Sequence, residues 1–218
     1  MKSICSIVSG GPYSNLDGIE KSNFIIACDK GYEHLKANNL EPDLLIGDLD
    51  SCEEIIPKTV KKIILPKEKD DTDTMAAIKY AIFHEFEEIK LYCSLGGRFD
   101  HTIANIQSCI FGIKKIKNIK IYDRYNEIYF VRNSKINISK KVGYSLSIFS
   151  ITDTCKNVSI KNAKYNLNNA TLKNSVPIGV SNYWLGDPEI SVGSGILMII
   201  LSKLEKNETL QSIRKCKK

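Results

Sequence analysis

The chain lacks most of the features that would place it at a glance. None of its apolar runs approaches the roughly 20 residues that a membrane helix needs; the longest, such as Gly195-Ile-Leu-Met-Ile-Ile-Leu201, fall far short. Its 13 glycines and 6 prolines are too few for a collagenous or linker-like chain of 218 residues, and 43% apolar content is too high for general disorder. The seven cysteines form no C-x-x-C pair and are odd in number, which favours buried free thiols in a reducing, cytoplasmic compartment over disulfides or zinc. Three histidines (34, 84, 101) share no metal spacing, and His34 and His84 read as helix-surface residues. There is no G-x-S-x-G, so a covalent serine nucleophile is unsupported. Ser9-Gly10-Gly11 could approach a phosphate, but it lacks the G-x-G-x-x-G spacing and the Walker lysine, and on its own reads as a turn. The opening Met1–Gly10 carries one lysine and then polar interruptions, as a first strand does and a secretory signal does not.

What is present is divided unevenly. The net charge of +6 conceals an acidic first half, with 12 Lys+Arg against 18 Asp+Glu over residues 1–110, and a basic remainder with 19 against 7. A basic half can contact nucleic acid, a membrane surface or a phosphorylated ligand. Its lysines, however, are scattered singly among Asn and Ile with no aromatic platform, which reads as solvated surface.

Periodicity also divides the chain, near residue 125. Ile4–Ser9, Phe24–Cys28, Leu44–Ile46, Lys62–Leu65, Glu88–Cys93 and Ile119–Tyr122 are short apolar runs suited to strands. Helical stretches accompany them at Tyr32–Asn38, around Met75, Ile78 and Ile82, and from Ile103 through Ile113. This alternation predicts an α/β domain over 1–125, with a mainly parallel sheet flanked by helices on both faces. From 126 to 218, short strands follow one another between Asn, Gly and Pro turns, with no helical pattern until Glu208–Cys216, and predict an all-β sandwich or barrel.

In a parallel sheet every strand delivers its carboxyl end to one rim, where ligands bind. Four loops at that rim carry acids: Asp29; Asp48 and Asp50 before Ser51; Asp70, Asp71 and Asp73, with Thr72 and Lys69; and Asp100 after Arg98 and before His101. Two carboxylates 5 Å apart would repel by roughly 3 kcal/mol at an effective dielectric near 20. A hard divalent cation, chiefly Mg²⁺, relieves that repulsion and recruits substrate phosphates, so the set points to phosphoryl transfer. Capping accounts for part of it: Ser51-Cys-Glu-Glu54 is a capping box, and Asp73 and Asp100 each precede an amphipathic helix. Capping needs one acid per helix, and these loops supply more.

Ala27-Cys-Asp-Lys-Gly31, Pro42-Asp-Leu-Leu-Ile-Gly-Asp-Leu-Asp-Ser51, Lys69-Asp-Asp-Thr-Asp73, Leu95-Gly-Gly-Arg-Phe-Asp-His101 and Gly179-Val-Ser-Asn182, in this order, resemble the thiamine pyrophosphokinase family over nearly the whole chain. The resemblance implies an α/β nucleotide-binding domain followed by a thiamine-binding β-sandwich, a homodimer with sites between subunits, and the reaction ATP + thiamine → AMP + thiamine diphosphate. It implies Asp48, Asp50 and Asp73 as Mg²⁺ ligands, with Asp70, Arg98 and Asp100 completing the catalytic set. Asp29, Ser51, Lys69, Thr72, His101, Ser181 and Asn182 would bind the substrates. Asn162 stands where the family often has glycine and tolerates the left-handed turn. Whether Trp184, the one tryptophan, stacks on thiamine stays open, as does the proton acceptor, Asp70 or Asp100. A pterin-alcohol pyrophosphokinase of the same architecture, a nucleic-acid-binding protein using the basic half and a metal-dependent phosphatase are the competing readings.

Overall fold

The computed structural model describes residues 3–22, 24–48, 56–66, 68, 70–205 and 208. The chain forms two compact units, Met1–Arg124 and Tyr125–Lys218. The capping box at 51–54 and all but the first residue of the helix expected over Glu208–Cys216 lie outside the described residues.

In the first unit, β1 (Ile4–Val8), β2 (Phe24–Cys28), β3 (Leu44–Gly47), β4 (Lys61–Ile64), β5 (Glu88–Tyr92) and β6 (Asn118–Tyr122) pair in parallel in the order β4-β3-β2-β1-β5-β6. The central strands β1, β2 and β5 are mostly apolar and largely buried, as strands covered on both faces are. β4, at the edge, is exposed throughout and carries Lys61 and Lys62, the charges that keep an open edge from pairing with another chain. Helices α1 (Gly31–Lys36), α2 (Asp73–Phe83) and α3 (Phe99–Gly112) follow β2, β4 and β5.

One crossover departs from the expectation of helices on both faces. Between β1 and β2 the chain runs as a strap with a single 3-10 turn, Ile19–Lys21. Leu16 and Ile19 of this strap, 5% and 3% exposed, plug into a core with Val8, Ala27, Leu45, Tyr92 and the α1 residues Tyr32 and Leu35. Each such burial stabilises by about 1.5–3 kcal/mol. Two polar groups on β5 hold the strap from below: Lys90 Nζ donates to the Gly18 carbonyl (3.3 Å) and the Tyr92 hydroxyl to that of Asp17 (3.3 Å). On the opposite face Phe24 stacks on Tyr80 of α2, ring centroids 5.9 Å apart. Gly31 lets α1 sit down on the sheet, since a Cβ there would come within 1.9 Å of the Val8 carbonyl oxygen.

The second unit is antiparallel. β7 (Asn126–Arg132), β13 (Ile196–Lys203) and β9 (Tyr144–Ser150) pair in that order, and β11 (Leu167–Lys173), β10 (Thr154–Ala163), β12 (Trp184–Ser191) and β8 (Lys135–Asn137) form the other sheet. Leu146, Ile148, Leu197 and Ile199 from the first sheet meet Val158, Ile160, Trp184 and Ile190 from the second in one core, the arrangement of a β-sandwich. β8 is three residues, Lys-Ile-Asn, too short and too polar to stand out in the sequence. Asparagine does here what glycine does elsewhere: Asn157, Asn162 and Asn169 hold φ of 53°, 62° and 49° where the register of β10 and β11 shifts.

Candidate functional site

The strand order reverses between β1 and β5, because the chain builds outward from β1 to β4 and then returns to place β5 on the other side of β1. A cleft outside the carboxyl ends of the strands at such a reversal is the binding place of doubly wound sheets. Here it has a volume of ≈ 520 Å³.

Its floor is the Ser9-Gly10-Gly11 loop after β1. That loop is more than a turn, because three elements fix it. The Gly11 N–H donates to the Cys93 carbonyl (3.0 Å), the His34 Nε2–H donates to the Gly11 carbonyl (2.8 Å), and Ser9 Oγ and Thr74 Oγ1 share a buried hydrogen bond of 2.9 Å. His34 is therefore a half-buried support of the cleft, not the surface residue its helical position suggested.

Asp29 lines one wall. It holds φ 43°, a left-handed conformation that aspartate tolerates, and its N–H donates to the Ile46 carbonyl (3.2 Å). Its carboxylate lies against Gly47, where a Cβ would come within 1.7 Å of Oδ1 and so displace the carboxylate from this position. Lys30, exposed, follows in the same wall.

Helix α2 begins at the cleft. The sequence offered Asp73 as its cap, but the N-cap is Thr72, whose Oγ1 accepts from the Met75 N–H (3.1 Å). Asp73 becomes the first helical residue and lines the cleft together with Thr72. Asp100 is likewise no cap. The N-cap position of α3 is Arg98, and Asp100 in the first turn accepts from Arg98 Nη2 (2.6 Å), Arg98 Nε (3.2 Å) and the His101 N–H (2.9 Å). The hydrogen bond from Arg98 holds the Asp100 carboxyl below its ordinary range and raises the guanidinium in turn. Both side chains are exposed, 73% for Arg98 and 64% for Asp100. Arg98 and His101 line the cleft, so cationic groups and helix N-termini face the same space as the carboxylates.

The seven expected acids do not all converge. Asp29 and Asp73 line the cleft; Asp71 pairs with Lys79 on the flank of α2 (2.6 Å) and Asp100 with Arg98, each taken by the nearest cation. Asp48 is half-buried directly after β3, and Asp70 is exposed in the loop before α2. Asp50, Ser51 and Lys69 lie outside the described residues. Among the described residues no three His, Cys, Asp or Glu side chains form a metal-holding group, while two of the expected trio, Asp48 and Asp73, are described. Those two offer hard oxygen donors alone, which suits Mg²⁺.

In the second unit Ser181 is exposed at φ 58°, its N–H donating to Ser147 Oγ (3.0 Å). Asn182 is 3% exposed. Its Oδ1 accepts from the Tyr165 and Tyr183 N–H groups (both 2.9 Å) and its Nδ2 donates to the Tyr165 carbonyl (2.8 Å), so it braces the turn after Asn162. Trp184, 5% exposed, lies in the sandwich core and donates its indole N–H to the Tyr144 carbonyl, which leaves no ring face for a ligand to stack on. Tyr165, 61% exposed, is the open aromatic of this turn.

Residues 17–122 match the family model of the thiamin pyrophosphokinase catalytic domain, and residues 133–197 match that of the thiamin pyrophosphokinase vitamin B1 binding domain. The chain belongs to the thiamin pyrophosphokinase family. It is 27% identical over 213 residues to the thiamine pyrophosphokinase of Bacillus subtilis (strain 168), covering 93% of this chain and 99% of that one. It is 24% identical over 196 residues to thiamin pyrophosphokinase 1 of Caenorhabditis elegans, covering 83% and 81%. The crystal structure of thiamine pyrophosphokinase from Bacillus subtilis is similar with a TM-score of 0.81 at 25% identity, covering 92% of this chain and 99% of that one. Most of the thiamin pyrophosphokinase cleft described above, from Asp29 to Asn105, falls in the catalytic-domain match, and Ser181 and Asn182 fall in the vitamin B1 binding match. Sequence reasoning passed over the tie between His34 and the glycine loop, and Ser94 and Asn105 in the wall after β5. The His34 partner is 23 residues away, and no local pattern marks Ser94 or Asn105.

Proposed function

We propose that the chain is a Mg²⁺-dependent thiamine diphosphokinase, moving the β,γ-diphosphate of ATP onto the hydroxyl of thiamine and releasing AMP. The observation that carries this reading is the cleft at the strand reversal, with a fixed glycine loop, two helix N-termini and the cations Lys30 and Arg98 set among carboxylates, in a chain whose halves match the two domains of this family. The vitamin B1 binding match favours thiamine over a pterin alcohol as acceptor.

In the proposed reaction the thiamine oxygen bonds to the β-phosphorus as the bond from that phosphorus to the α,β-bridging oxygen breaks, and AMP keeps that oxygen. Positioning and charge dominate such a transfer. In the glycine loop the Ser9 and Gly11 N–H groups are taken by the Tyr92 and Cys93 carbonyls, so it is the Gly10 N–H, with the N–H groups that open α2 and α3, that donates to phosphate oxygens. Arg98 presents the remainder of its fork to the moving diphosphate, and Asp100 fixes the orientation of that fork. Asp48, Asp50 and Asp73 would hold Mg²⁺, which when bound neutralises phosphate charge. Asp100, already held ionised by Arg98, is a poor base, and we assign the hydroxyl proton to Asp70. Asp29, Thr72, His101, Ser51 and Lys69 serve the nucleotide; Ser181 meets thiamine, and Asn182 positions the turn beside it.

On this reading the enzyme acts as a homodimer in the cytoplasm, and light scattering should give a mass of about twice the 24.5 kDa chain. The five described cysteines are buried free thiols, and no described helix is long and apolar enough to cross a membrane. Incubation with Mg-ATP and thiamine, followed by chromatography, is expected to give AMP and thiamine diphosphate in equal amounts. Product of equal yield from a pterin alcohol, or none from thiamine, would overturn the assignment.

A further inference from the structure

Ser94 follows β5 in the wall of the cleft and is 3% exposed. Among the described residues, its hydroxyl is the one buried side-chain oxygen or nitrogen with no hydrogen-bond partner. The groups around it are well satisfied. Ser14 Oγ accepts from the Cys93 N–H (3.1 Å), Asn105 Nδ2 donates to the Ser94 carbonyl (2.8 Å), and Gly96 N–H donates to Thr102 Oγ1 (3.1 Å). An unpaired hydroxyl in so buried a position is costly, and alanine would pack there without that cost.

The glycine loop lies directly beside it. A Cβ on Gly11 would come within 2.5 Å of the Cys93 carbonyl oxygen and 3.9 Å of Ser94 Cα, and the Gly11 N–H is bonded to that same carbonyl. The backbone of Ser94 is thus clamped between Gly11 and Asn105, and the residue faces the space flanked by Lys30 and Arg98, where an anion belongs. We infer that Ser94 is a further nucleotide-binding residue, donating its hydroxyl hydrogen to a phosphate oxygen of ATP. This rests on the reading of the cleft given above. The ligand's acceptor would satisfy a group that the free protein leaves unpaired, so the hydroxyl acts on binding and not on folding.

The test compares wild type with Ser94→Ala by titration calorimetry using adenosine and ATP, each with Mg²⁺, and by thermal unfolding without ligand. The variant should bind ATP about tenfold more weakly, the scale of one hydrogen bond to a charged group. It should bind adenosine as wild type does, and unfold at the same or a higher temperature. Unchanged ATP affinity, an equal loss for adenosine, or a lowered unfolding temperature would each overturn the inference while leaving the activity in place. A wild type that binds no ATP would overturn the reading of the cleft and this inference with it.

Discussion

Asp73 shows how a single position acquires a role. Thr72 takes the capping duty, so the carboxylate one residue later is not needed to start α2 and lines the cleft instead. Asp73→Asn should therefore lower kcat by at least about 100-fold, as removal of one charge-stabilising group does. Its unfolding free energy should change by about 1 kcal/mol or less, the usual gain of a first-turn acid from the helix dipole. Steady-state kinetics at saturating Mg-ATP and urea unfolding read the two effects separately. The sequence pointed to Asp73 as the cap and missed Thr72, because both residue types cap well and the choice depends on where the loop delivers the chain. Tyr92 is a residue of the opposite kind, wholly structural. Burial raises its phenol well above the ordinary value of 10.0. Above about pH 10 the unfolded chain gives up this proton and the folded chain keeps it, so the stabilisation present at neutral pH is lost as pH rises past that point. Tyr92→Phe, losing the bond to the Asp17 carbonyl, should cost about 1 kcal/mol at pH 8. That deficit should shrink when urea unfolding is repeated at pH 10.5.

At the scale of elements, most strands and helices were legible because each is a local pattern. Phe24-Ile-Ile-Ala-Cys28 is an apolar run bounded by polar residues, and the structure makes it a strand over those five residues. The strap between β1 and β2 was not legible, since what holds it are Lys90 and Tyr92, some seventy residues away. Asn162 lay between these cases: the left-handed turn was expected from the glycine the resembled family often has there, which asparagine can replace, and φ is 62°. A left-handed residue with a Cβ but without the asparagine side chain costs about 1–2 kcal/mol. Asn162→Ala should therefore be less stable than Asn162→Gly by about 1 kcal/mol, both having lost the bond to the Asp187 carbonyl. Chemical denaturation of the pair measures that difference directly, and equal stabilities would remove the conformational argument.

Across the whole molecule, Met1–Arg124 forms one compact unit packed on a parallel sheet and Tyr125–Lys218 another with its core between antiparallel sheets. The candidate site was legible as a set of loops, because parallel strands bring their carboxyl ends to one rim whatever the details. It was not legible as a set of side-chain directions. Asp71 and Asp100 turn to Lys79 and Arg98, cations close by in the chain, and Trp184 turns into the core. The central claim is that the cleft transfers a diphosphate intact. ATP labelled in its γ-phosphorus tests it most directly: with Mg²⁺ and thiamine, the label should appear in the terminal phosphate of thiamine diphosphate and in no other product. Label released as orthophosphate, or thiamine monophosphate as the labelled product, would contradict the account.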